Sequence, residues 1–482
     1  MDEPVSFQSR LALFARSRPS DVAIVCESEK ISWGKLDRSS NAVAHNLLSL
    51  GVRANDLVSF TLATSVEFMQ LCWGIWKLGA TPQPLSNRVA NMERERILKV
   101  AKPRIFVTHD GEPGSVPLSD LLVSEVDHIE LPEQVANSWK APTSGGSTGE
   151  PKIILSTSSA TFSEGQTFGL SETDKLLLPA PLYHNAPFGF ATTANLVGCP
   201  LYLTPRFDAE RTLEIIAREK ITFLYVVPTM MHRISRLPEQ VRQAYDMSSL
   251  QTVWHMAEPC PPWLKRQWIE WLGGEKLWEL YGGTEAIAMT IIRGDEWLSH
   301  EGSVGKAVPP GELMIADENG NPLPANMVGE IFMRRDDGVS TYAYLGNAST
   351  TKVGGWESLG DMGHVDEQGY LYLSDRKKDM ILIGGVNIYP AEIEFELLSH
   401  PSVRSCAVVG ASDAATEQNY LHAFIEADAV MSEEDLDTYL SDRLQPIKHP
   451  KKYTFVQEPI RDDSGKVRRS TLATQLKGTW GS

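Results

Sequence analysis

The run Thr143-Ser144-Gly145-Gly146-Ser147-Thr148-Gly149-Glu150-Pro151-Lys152 packs glycines and hydroxyl side chains together and closes on a lysine. Glycines let backbone N–H groups approach phosphate oxygens, hydroxyls add donors, and the lysine adds positive charge. Holding a polyphosphate needs that combination. Taken alone, the run also reads as a polar surface loop. A Walker A loop is excluded, because that pattern needs glycine directly before lysine and Pro151 stands there. Gly145 to Gly149 does match the GxSxG of a serine-hydrolase nucleophile elbow. An elbow needs an apolar strand before it and a helix after it. Here Ala136 to Pro142 reads as a weak strand, and Pro151 follows almost at once.

Around this loop the first part of the chain alternates strand and helix signals. Ile31-Ser32-Trp33 reads as a short strand before a helix with Leu36, Val43, Leu47 and Leu50 at helical spacing. Leu57 to Leu62 is an apolar strand, and Met69, Cys72, Trp73 and Trp76 form one helical face. Phe223 to Val227 and Thr252 to Met256 are buried-strand patterns. The alternation predicts an α/β fold with largely parallel sheets. From about residue 305, glycines and prolines punctuate short strands such as Gly329 to Met333, which predicts a β-rich subdomain over 305–374. The charged segment Ser374 to Asp379 sets a boundary at Asp375. It divides a large N-terminal domain, 1–374, from a small α+β domain, 375–482, with its own signals at Ala391 to Leu398, Ser405 to Gly410, Ala423 to Ala427 and Glu433 to Leu444.

The chain of 482 residues is too long for one ordinary core, and its net charge of −17 disfavours general binding to nucleic acid. Its five cysteines are scattered without a CxxC pair, which disfavours a disulfide framework or zinc site and suits a reducing cytoplasm. The acidic, polar N-terminus is not a secretory signal, and no apolar run reaches the length of about 18 residues that a membrane helix needs.

Further motifs follow the loop in order: Pro181-Leu182-Tyr183-His184-Asn185, Tyr281-Gly282-Gly283-Thr284-Glu285, Gly329-Glu330-Ile331, Gly360-Asp361 with Arg376, Gly384-Gly385-Val386-Asn387-Ile388-Tyr389-Pro390-Ala391-Glu392-Ile393-Glu394, and Ser464-Gly465-Lys466. Together they resemble the adenylate-forming superfamily, which contains acyl-CoA synthetases, peptide-synthetase adenylation domains and beetle luciferases. The phosphate loop departs from the family pattern at Gly145, where a hydroxyl is common, and at Ile153, where glycine is usual.

The resemblance implies a two-step ligase. A carboxylate and MgATP give acyl-AMP and pyrophosphate, and an acceptor then takes the acyl group. It places ATP against Thr143, Ser144, Gly145, Gly146, Ser147, Thr148, Gly149 and Lys152, with Tyr281, Gly282 and Gly283 at adenine, Asp361 at the ribose hydroxyls and Arg376 at ribose or phosphate. It implies that Thr284 donates to the α-phosphate and Glu285 holds Mg²⁺, an ion that prefers oxygen ligands and keeps substrate phosphates in its shell. Lys466 would bridge the acid and the α-phosphate, where charge grows during in-line attack. Apart from the resemblance, each residue has a plainer reading: Glu285 and Asp361 as turn carboxylates, Tyr281 as a core side chain, Arg376 and Lys466 as solvated charges.

His184 reads as a wall or gate of the acyl pocket, with Trp254 and Met256 beside it. Ala257, Glu258 and Pro259 fall where the family's adenine loop lies. Glu258 occupies a generally small position, so it reads either as a contact to adenine or a polar substrate group, or as a solvated charge. Asp375 is the expected hinge, and Gly384 and Gly385 the expected acceptor channel. Coenzyme A is the expected acceptor, with Arg404, Lys448, Lys451 and Lys452 as candidate contacts to its phosphates. An amino acid or amine is the alternative acceptor, and a serine hydrolase and a non-catalytic nucleotide-binding protein are the readings from other classes. The stretch Trp254 to Ser303 resembles ligases of the bile-acid type, which implies a bulky cyclic acid.

Overall fold

The computed structural model describes residues 3–123, 127–144, 152–165, 167–346, 350–383, 386–412, 419–462 and 465–478. Its backbone is one long mixed sheet. The parallel half runs Val22–Cys26, Leu201–Leu203, Leu176–Leu178, Phe223–Val226, Thr252–Met256 and Leu277–Gly282. Its strands are short, mostly buried and rich in Leu, Val and aromatic residues, as a sheet covered on both faces requires. At Leu277–Gly282 the direction reverses. Met289–Arg293, Ser303–Ala307, Leu371–Arg376, Trp356–Val365, Gly329–Arg335 and Gly311–Ala316 continue the sheet antiparallel. The β-rich region is therefore fused to the parallel sheet through shared strands. A second parallel sheet joins Thr81–Leu85, Leu57–Thr61, Ile105–Thr108 and Val116–Pro117.

Trp33, Trp73, Trp76, Trp268 and Trp297 are fully buried in the large core. Residues from Ile381 to Tyr453 form a separate apolar cluster around the three strands Val403–Ser412, Asn419–Ala427 and Lys452–Phe455. The helices Pro390–Leu398 and Glu433–Ser441 pack on that cluster, the second opened by a Ser432–Asp435 capping box.

Two local expectations fail for identifiable reasons. Trp33 is the first residue of the helix Trp33–Ser49, because Ser32 accepts a hydrogen bond from Lys35 N and caps it. Ala136 to Pro142 is irregular, because its backbone bonds alternate between two neighbours: Ala141 N donates to Pro82 O, and Lys140 O accepts from Ser156 N. Thr143–Ser144 then pairs antiparallel with Lys152–Ser156. The GxSxG run thus connects two antiparallel strands, whereas a nucleophile elbow passes from strand to helix.

Candidate active site

Three neighbouring parallel strands end side by side, and their carboxyl ends carry the chemistry, as the crevice of an α/β sheet does. Phe223–Val226 leads to Thr229, Thr252–Met256 to Ala257 and Glu258, and Leu277–Gly282 to Thr284 and Glu285. Ala257 and Ala286 adopt positive φ of 75° and 52°, which turns the chain sharply at each exit. A Cβ at Gly283 would meet the Leu359 Cδ1 methyl, which would have to move.

Glu285 is buried, and its Oε1 accepts a hydrogen bond of 2.6 Å from the Tyr344 hydroxyl. Its backbone oxygen accepts from Thr341 Oγ1 at 2.7 Å. The Lys152 ammonium lies 5.4 Å from the centroid of the Tyr344 ring, so the lysine that closes the glycine-rich loop and Glu285 approach the same tyrosine. Burial and the bond to Glu285 push the Tyr344 phenol up, which keeps it a donor. Tyr281 donates to Asp361 Oδ2 at 2.8 Å, and Asp361 Oδ1 lies 3.3 Å from Arg376 Nε. Three residues drawn from separate motifs therefore form one chain of contacts.

His184 precedes the helix Asn185–Val197 and makes no side-chain cap. Its Nε2 is buried without a partner among the described residues. Burial, reinforced by Lys466, lowers its pKa to about 4. The imidazole is neutral at pH 7 and weakly basic, which suits a pocket wall. Trp254 and Met256 are buried and line the same cavity. Trp254 stacks on Trp278 at 5.5 Å and donates to Phe168 O, while Phe168 stacks on Phe190 at 4.7 Å. The wall is flat and aromatic.

Lys466 arrives from the small domain. Arg461 and Val467 bridge, Asp462 N donates to Lys466 O, and Asp462 Oδ1 accepts from Lys466 N, so the loop is tight. Gly465, at φ +79°, lies against Glu258, and a Cβ there would overlap that carboxylate. Lys466 is open to the cavity but surrounded by protein, and this desolvation lowers its pKa. Asp462, Glu258 and Glu285 oppose the shift, whereas Arg376 adds to it. Glu258 Oε2 accepts from Thr229 Oγ1 at 2.7 Å, and its Oε1 is buried without a partner among the described residues. Burial pushes this carboxyl up to about 7. Its reading as a solvated charge is therefore corrected.

The loop's anchor was not legible beforehand. Arg461 reaches Glu394 Oε2 at 3.2 Å, and Arg469 reaches Glu394 Oε1 at 2.7 Å. Burial would raise Glu394, but the two guanidiniums hold it low. Glu394 stands in a recognised motif, whereas its arginine partners lie far along the chain and carry no local signal. Tyr344 was missed for the same reason.

Asp375 accepts hydrogen bonds from Ala391 N and Arg376 N at the end of its strand. Arg404 pairs with Glu426 and Asp428, and Lys448 with Glu392, so these two are already neutralised. Gly145, Gly146, Ser147, Thr148, Gly149, Gly384 and Gly385 lie outside the described residues, as does the side chain of Ser144. The residues described around this centre line a continuous cavity of about 2740 Å³. Among the described residues no cluster of three His, Cys, Asp or Glu side chains forms a metal site, and no helix is long and apolar enough to cross a membrane.

Residues 11–343 match the family model described as AMP-binding enzyme, and residues 392–466 match that of the AMP-binding enzyme C-terminal domain. The chain is 28% identical to a 2-succinylbenzoate–CoA ligase of Bacillus licheniformis, over 98% of this chain and 100% of that one. It is 27% identical to the long-chain-fatty-acid–CoA ligase FadD13 of Mycobacterium tuberculosis, over 93% and 94%. The o-succinylbenzoate CoA synthetase of Bacillus subtilis, solved with its acyl-adenylate intermediate, superposes with a TM-score of 0.81 at 25% identity, covering 96% of this chain and 97% of the other.

Proposed function

The chain belongs to the AMP-binding enzymes, the adenylate-forming superfamily, and on that premise we propose that it activates a cyclic carboxylic acid as its acyl-adenylate and transfers the acyl group to coenzyme A. The observation that carries this reading is Lys466, delivered by the small domain into the crevice where Glu285, Glu258 and Arg376 act on its charge. An ammonium there neutralises the approach of carboxylate to α-phosphate and the charge that builds during displacement of pyrophosphate. Lys152 and Thr284 stand on the phosphate side, and the chain Tyr281–Asp361–Arg376 on the nucleoside side. Asp361 offers two oxygens to the ribose hydroxyls.

The donor set suits magnesium. Glu285 gives one carboxylate, held by Tyr344, and the polyphosphate and water supply the remaining oxygens. When bound, that ion would neutralise phosphate charge. The protein's own part is to hold Glu285 fixed, keep His184 neutral and close the cavity with the Gly465 loop.

Asp375 is the hinge of this account. It ends a strand of the large sheet and bonds to the first turn of the small domain, so a turn there withdraws Lys466 once the adenylate has formed. The aromatic wall supports a flat or cyclic acid. Coenzyme A is supported by relatives named as CoA ligases along their whole length. Four of the five cysteines are buried and all are free, which fits a reducing cytoplasm. The test supplies ATP, Mg²⁺ and a panel of cyclic acids, with coenzyme A in one arm and mixed amino acids in the other, and reads products by mass. A thioester with AMP supports the reading. An acyl-amino acid formed without coenzyme A, and no thioester in the other arm, overturns the acceptor and leaves adenylation standing.

A further inference from the structure

Three buried or enclosed lysines can be compared. Lys77 pairs with Asp37 at 2.6 Å, and Lys265 with Glu279 at 2.5 Å. Lys140 has no carboxylate within ion-pair distance among the described residues. Its ammonium donates to Asn185 Oδ1 and sits 4.4 Å from the Trp139 ring centroid. Burial alone, with no opposing charge, lowers it to about 7. Lys140 is half-buried at the cavity wall, and a partly desolvated cation without a counter-ion is costly unless something compensates it.

The surroundings show what would compensate it. Lys140 lines the same cavity as the reacting centre. Asn185, its partner, directly follows His184 of the acyl wall. The helix Asn185–Val197 starts there with no side-chain cap, so its positive end faces the same region. Ser156, Ser158, Ser159 and Thr161 line the same cavity, and their hydroxyls can donate to oxygen. On the helix, Phe190 packs on Trp254 of the aromatic wall, whereas Asn185 accepts from Lys140. The wall beside Lys140 thus joins an ammonium and hydroxyls to the Trp139 ring.

Resting on the adenylation reading above, we propose that Lys140 binds a second carboxylate of the acid substrate, so that the preferred acid is a cyclic dicarboxylate. One carboxylate meets ATP, the ring lies on the aromatic wall, and the far carboxylate pairs with Lys140. That carboxylate supplies the counter-ion that Lys140 lacks among the described residues.

The experiment measures acid-dependent pyrophosphate release for matched pairs of cyclic acids that differ only by a second carboxylate. Wild type should favour the dicarboxylate by roughly 10- to 100-fold in kcat/KM, the worth of one charge-assisted hydrogen bond. Lys140→Met should collapse that ratio to near one, and Lys140→Arg should keep most of it. Asn185→Asp gives Lys140 an internal counter-ion at constant size and should collapse the ratio as well. Thermal melts of the three variants identify any that fail to fold, and Asn185→Asp carries the test if Lys140→Met does not fold. A wild-type ratio near one overturns the proposal, as does an equal loss on both members in folded Lys140→Met and Asn185→Asp. Acetate added to the monocarboxylate should not stimulate. Stimulation that disappears in Lys140→Met would assign the site to a separate small anion and overturn the substrate-borne reading. Turnover of any member keeps the adenylation reading intact, so the two can fail separately.

Discussion

The two halves of the active site are built differently. The large-domain half hangs from adjoining strand ends and is cross-tied by Tyr281 to Asp361, Asp361 to Arg376 and Tyr344 to Glu285. The small-domain half is one tight loop. It rests on a buried Arg461–Glu394–Arg469 cluster inside its own domain and meets the large domain at the glycine beside Lys466. A prebuilt half is suited to binding, since its groups need no ordering when ATP arrives. A half that docks through Gly465 and the ion pairs Arg468–Glu93 and Arg236–Asp428 can be withdrawn with few contacts to break. On the proposed mechanism, binding and chemistry then fall to separate bodies of the chain.

The largest effect should come from Lys466→Ala. Acid-dependent pyrophosphate release should fall roughly 100- to 1,000-fold, as for other positioned charge-stabilising donors. Transfer from preformed acyl-adenylate to coenzyme A should survive, because the loop has then left. Equal loss in both half-reactions would mean that the halves do not separate. Next, Gly465→Ala strikes the contact itself. The left-handed backbone and the Glu258 carboxylate both resist a Cβ, so pyrophosphate release should drop while ATP binding holds and the melting temperature falls only by the cost of one strained residue, roughly 1–2 kcal/mol. Normal release would remove Gly465 from the docking argument.

Within the prebuilt half, Glu285→Gln should raise the Mg²⁺ concentration needed for half-maximal rate. Tyr344→Phe, which only frees that carboxylate to move, should act in the same direction and less, within roughly 10- to 100-fold. An unchanged Mg²⁺ dependence in both would leave Glu285 as a turn residue. The smallest effect belongs to Glu258→Gln. Burial raises this carboxyl to about 7, so the folded chain holds a proton that the unfolded chain releases near the ordinary value of 4.5. Stability contributed by this group therefore falls as pH rises from about 4.5 to 7. The amide escapes that loss, and the variant should melt higher than wild type at pH 8, with the gap closing toward pH 5. A gap independent of pH would mean that Glu258 is not the group responsible.

Much of the prebuilt half was legible in the sequence, because its residues sit in contiguous motifs at strand ends. Thr284 and Glu285 stand in the run Tyr281 to Glu285, one of the ordered motifs. Residues that act through long-range partners were not legible. Tyr344 reaches Glu285 across 59 positions, and Arg469 reaches Glu394 across 75. Lys140 went unread because it lies in a weak-strand pattern whose neighbours become known only when Ser156 and Asn185 are placed beside it. The misassigned Trp33 shows that one capping serine can outweigh an apolar run.

The central claim is that adenylate formation is complete before the acceptor is needed. Wild-type enzyme in excess over a turned-over cyclic acid, with MgATP and no coenzyme A, should release pyrophosphate equal to the acid and retain acyl-AMP. Added coenzyme A should then convert it to thioester and AMP. Release of ADP and phosphate, or no pyrophosphate until coenzyme A is present, would contradict the account.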